Sequence, residues 1–86
     1  MSFAMPLDPH SLLPIALRAA SQVVRNPVLA EEASERAIYQ LTVALLDGSP
    51  PDCPEAWLRT VARRAACAIL RSEWARTKTT DLDGVA

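Results

Sequence analysis

Asp8, His10 and Ser11 place an acid, a base and a hydroxyl within four residues, the side-chain types a Ser-His-Asp hydrolase uses. Three neighbours in a proline-flanked arm are not set to converge as that triad does, and Asp8 or Ser11 is better suited to capping a helix. The two thiols, Cys53 and Cys67, lie fourteen positions apart, and His10 alone cannot complete the four-ligand set of a structural zinc. Cys67 sits in an alanine-rich helical run, where a buried free thiol is expected, although the spacing also allows a disulfide. Glycine-rich phosphate loops and spaced metal ligands are missing from the sequence. The chain therefore reads as a non-enzyme without metal or cofactor.

What remains is charge, and it is unevenly placed. Residues 1–55 carry seven acids against three bases, residues 56–78 six bases against one acid, and the last eight residues two further acids. The net values of −4, +5 and −2 give the overall −1. An acidic helix suits a basic protein and a basic helix suits phosphate or an acidic protein, so two partner surfaces are expected; attraction between neighbouring helices is the alternative use of the same asymmetry.

The elements that must hold these charges are helices. Half of the 86 residues are apolar, only two are glycine, and Ala, Leu, Arg and Glu outweigh aromatic and β-branched residues. The expected fold is all-α, a compact bundle of three main helices with a modest core. Residues 1–9 read as a flexible arm, 10–76 as the helical domain and 77–86 as a linker-like tail. The first helix follows Asp8 or Ser11, takes Pro14 in its first turn, buries Leu13, Leu17, Ala20 and Val24 beside Leu12, Ala16, Ala19 and Val23, and ends near Asn26. Asn26 before Pro27 is a strong cap and start signal for a second helix of about twenty residues. Its apolar face comprises Leu29, Ala33, Ala37, Ile38, Leu41, Ala44 and Leu45, with Gly48 at the left-handed position beyond its end. Three prolines make residues 48–54 a stiff loop. The third helix, residues 54–76, starts near Asp52 or Cys53. It offers Trp57, Leu58, Val61, Ala62, Ala65, Ala68, Ile69, Leu70 and Trp74 as an apolar surface, interrupted by Arg59, Arg63, Arg64, Arg71 and Arg76.

The third helix reads AWLRTVARRAACAILRSEWAR, and residues 54–63 resemble the proline, alanine-tryptophan-leucine, valine-alanine-arginine run of regions 2.3 and 2.4 in extracytoplasmic-function sigma factors of the sigma-70 family. Ala30, Glu31, Glu32 and Glu35, followed by Ile38, Tyr39 and Leu41, are similar to the region 2.2 helix, and Asp81, Leu82 and Asp83 to the start of the linker that follows region 2. The resemblance covers residues 27–83 and implies a sigma-70 region 2-like fold and a part in transcription initiation. It implies that Glu32, Glu35, Arg36 and Tyr39 meet the clamp helices of the RNA polymerase β′ subunit in the core enzyme. It also implies that the basic helix faces the promoter −10 element, with Arg63, Arg64, Arg71 and Arg76 on phosphates and Ser49 and Asp52, in the loop before that helix, on a base flipped from the opened strand. Trp57 is expected in the core, while Trp74 is the better candidate for stacking on an unpaired base.

Four positions depart from the family pattern: Glu35 and Arg36 in the second helix, Arg64 and Ala68 in the third. Arg36, Arg64 and Ala68 favour an alternative, a sigma-like interaction module that binds an anti-sigma factor or polymerase without reading DNA. A helical oligomerisation domain is a third reading. With no region 4 helix-turn-helix after it, the sequence is expected to be an excised domain or a stand-alone relic, and the linker-like tail favours excision. Prolines interrupt the N-terminal residues before any signal-peptide-length apolar run, and no stretch approaches a membrane span, so a cytoplasmic protein is expected.

Overall fold

The computed structural model describes residues 8–85, with side chains for residues 8–76. A 3-10 turn, Pro9–Leu12, leads into α1, Leu13–Ser21; α2 spans Pro27–Leu46 and α3 spans Pro54–Val85. Each boundary has a local cause. The Asp8 carboxylate accepts from the His10 amide at 3.1 Å, and the Ser11 hydroxyl donates to the Asp8 carbonyl at 2.6 Å, so two members of the apparent triad serve the first turn. Asn26 is extended, as a residue before proline must be, and its Oδ1 accepts from the amides of Val28 at 2.8 Å and Leu29 at 3.4 Å. Gly48 ends α2 at φ +75°, a conformation that is strained for a residue with a Cβ. The Cys53 carbonyl accepts from the Trp57 amide at 3.0 Å as α3 begins.

The protein is an all-α, compact three-helix bundle in which every helix packs on both others. Its core has two linked halves. Leu12, Ala16, Ala19, Ala37, Ile38, Leu41, Leu58 and Ala62 form one, with Trp57 and Val61 half-buried against it. Ala20, Val24, Ala30, Ala33, Ala65, Ala66 and Ile69 form the other. Most of these are alanines, so the backbones approach closely, and the large side chains Leu41 and Leu58 fill what space is left between them. Ser34 is the buried polar residue of this core, and its hydroxyl is satisfied locally by donating to the Glu31 carbonyl at 2.7 Å.

Several expectations are corrected. Helix α1 stops at Ser21 instead of near Asn26, because the amides of Val23 and Val24 both turn back to the Ala20 carbonyl and Val24 folds into the core. Helix α3 runs to Val85 instead of ending near Arg76: an apolar period reports burial, and a helix without proline can continue past its packed face. Pro9 belongs to the first turn, and residues 1–7 of the arm lie outside the described residues. Leu17 is exposed, since the inward face of α1 is Ala16, Ala19 and Ala20, and Ala68, Leu70 and Trp74 are exposed, since the inward face of α3 is the narrower set Leu58, Ala62, Ala65, Ala66 and Ile69. Cys67 is exposed for the same reason and is free, and Cys53, in the loop before α3, is also exposed and free.

Two substitutions test this packing. Leu41→Asp places an unpaired charge where no solvent reaches, and the far-ultraviolet circular dichroism melt should lose its cooperative transition. Asn26→Ala removes the α2 cap and should lower unfolding free energy by about 1 kcal/mol in urea titration.

Candidate functional site

The outward side of α2 is built by its own periodicity. While Ala30, Ala33, Ala37 and Leu41 face the bundle, Val28, Glu32, Glu35, Tyr39, Thr42 and Leu46 follow one another at alternating steps of four and three along the other side. That is the spacing of a helix seam made to lie along another helix. Tyr39 is 70% exposed and Leu46 82%, with Val28 and Val43 also open to solvent. Tyr39 is central: shallow grooves on either side of it are lined by Glu32, Glu35, Arg36 and Gln40, by His10, Leu13, Ile38 and Thr42, and by Val43, Ala44, Asp47 and Trp57. Glu32, Glu35, Arg36 and Tyr39, the four residues expected to meet a protein partner, therefore share one face. Arg36 does not face a partner alone; its Nη2 lies 2.9 Å from Glu32 Oε2 in an exposed pair that contributes little to stability.

The residues expected to meet DNA are dispersed. Ser49 lines the groove next to Tyr39 and Trp57. Asp52 lies on the other side of Trp57, in a groove with Thr60 and Arg64. Arg63 points instead toward α1, where its Nε and Nη2 donate to Gln22 Oε1 at 3.3 and 3.1 Å. Arg71 is exposed one helical repeat beyond Arg64, and the Arg76 guanidinium bonds Glu73. Trp57 is half-buried between two grooves, and Trp74 is exposed.

Helical counting alone did not reveal that Arg18 of α1 and Arg59 of α3 join Arg63 across one cleft. The signal existed only in part: Arg59 and Arg63 are four apart, but the register of α1 against α3 had to be known to add Arg18. Among the described residues no three His, Cys, Asp or Glu side chains gather as metal ligands, and no helix is long and apolar enough to cross a membrane. No protein-family model, curated protein or solved structure matches the chain.

Arg63→Ala combined with Arg71→Ala should alter stability by no more than about 0.5 kcal/mol, because both side chains are exposed; a denaturant melt checks this. Both thiols should react with an aromatic disulfide reagent in the native protein, giving two equivalents per chain without denaturant.

Proposed function

We propose that this bundle is a polymerase-docking module of the sigma region 2 kind, a part of transcription initiation machinery. The outer seam of α2 lies against the clamp helices of the RNA polymerase β′ subunit, and the groove around Trp57, Asp52 and Arg64 faces the promoter −10 strand. The observation that carries this reading is the α2 face: a 4-3 seam, apolar at Val28, Tyr39 and Leu46, acidic at Glu32 and Glu35, and left uncovered by the rest of the bundle. An exposed aromatic beside carboxylates fits a helical partner that brings apolar knobs and basic residues. The resemblance of Ala30, Glu31, Glu32, Glu35, Ile38, Tyr39 and Leu41 to the region 2.2 helix supplies the name of that partner.

A second reading is favoured by the scatter of the basic groups. Asp52 shares the groove of Arg64, where a carboxylate beside a guanidinium weakens attraction for phosphate, and Arg63 points away from that groove toward Gln22 of α1. In that reading the module binds polymerase or an anti-sigma factor through α2 and does not read DNA.

Binding to polymerase core, or to isolated β′ clamp helices, separates these. Wild-type chain should bind, and Tyr39→Ala with Leu46→Ala should weaken binding at least about tenfold, on the scale of truncating an interface anchor. A fluorescent non-template −10 strand, titrated with salt, should bind with a steep salt dependence if the module reads DNA, and should not bind if it is an interaction module alone. Polymerase binding indifferent to the α2 substitutions would overturn both.

A further inference from the structure

We propose that the cleft between α1 and α3 binds a nucleotide, holding its phosphate with Arg18, Arg59 and Arg63 and its ring against Pro14 and Ile15. The cleft measures about 250 Å³, close to the lower end, roughly 300 Å³, of small-molecule sites. Its charged groups are three arginines from two helices, and no carboxylate lines it. Glu55 reaches Arg59 only at 3.9 Å, and the Arg18 side chain has no ion pair or hydrogen bond among the described residues. Like charges gathered in one concavity repel, and a bound dianion relieves that repulsion.

Gln22 supplies the positioning. By accepting from both Arg63 Nε and Nη2, its carbonyl fixes the guanidinium plane across the gap between α1 and α3 and leaves the remaining N–H donors of Arg63 for a ligand. Guanidinium groups match tetrahedral oxyanions through paired hydrogen bonds and also stack on flat rings. Pro14, Ile15 and Ala19 add an apolar wall that inorganic phosphate would leave unused. Phosphate and flat ring together define a nucleotide, either free or as one unit of a strand. This inference does not rest on the polymerase reading, which concerns the outer seam of α2 and the groove around Trp57, Asp52 and Arg64.

The test is titration of the whole chain with adenosine monophosphate, adenosine, inorganic phosphate and hexathymidylate, followed by calorimetry and by shift in melting temperature. Saturable binding of the monophosphate, with adenosine at least about tenfold weaker, is expected, and Arg18→Gln and Arg59→Gln should each weaken it about tenfold. Arg25→Gln, outside the cleft, should leave it unchanged, and none of the three should alter helicity. Hexathymidylate binding that is lost in Arg18→Gln while the monophosphate fails to bind would assign the site to a strand-borne nucleotide. Absence of binding by both, binding indifferent to Arg18 and Arg59, or equal binding of adenosine and its monophosphate would overturn the proposal. Clamp-helix binding by Arg18→Gln, unchanged or lost, reports separately on the α2 reading.

Discussion

The fold depends on how closely its helices approach. Alanines line the contacts of all three helices: Ala16, Ala19 and Ala20 on α1, Ala30, Ala33 and Ala37 on α2, Ala62, Ala65 and Ala66 on α3. A methyl group buries little area, so each position adds little hydrophobic stabilisation. Its contribution is geometric. Small side chains bring the helix axes together, dispersion contacts then accumulate along the backbones, and Leu41, Leu58, Ile38 and Ile69 need only close the gaps. A core of this kind leaves little tolerance for added volume, because a larger side chain at Ala37 or Ala62 must push a helix outward. It also leaves the large apolar side chains of the outer faces uncommitted.

That division gives α2 two distinct sides. Its inner side is consumed by the bundle, and the outer side keeps Tyr39, Val43 and Leu46 beside acids that remain hydrated. Had the core recruited those residues, no seam would remain for a helical partner. The close packing of α1 on α3 has a parallel effect elsewhere. It brings Arg18 opposite Arg59 and Arg63, so a charge cluster arises from two helices whose sequences each show only an ordinary scatter of arginines.

Helix identity was legible in the sequence wherever a local rule determined it. Asn26 before Pro27 and Gly48 after Asp47 mark the ends of α2 through hydrogen bonding and backbone sterics, which act within a few residues. Glu32, Glu35, Arg36 and Tyr39 were singled out by the resemblance, and the structure sets all four around one groove on α2. Details set by tertiary packing were not legible. Alanine fits both an interface and a solvent-exposed helix, so the pattern VARRAACA could not say that Ala65 and Ala66 face inward while Cys67 and Ala68 face out. The end of α1 was equally hidden, since Val23 and Val24 continue the apolar period while the backbone has already turned. The direction of Arg63 was set by Gln22, forty-one residues away in the chain.

The central claim is that α2 docks through its outer seam. Amide chemical-shift mapping tests it most directly, with labelled chain titrated by the isolated β′ clamp helices. The account predicts the largest changes along Val28, Glu32, Glu35, Tyr39, Val43 and Leu46, with small ones at Arg18 and Arg59. Changes centred on the α1–α3 cleft, or none at saturating clamp helices, would contradict it.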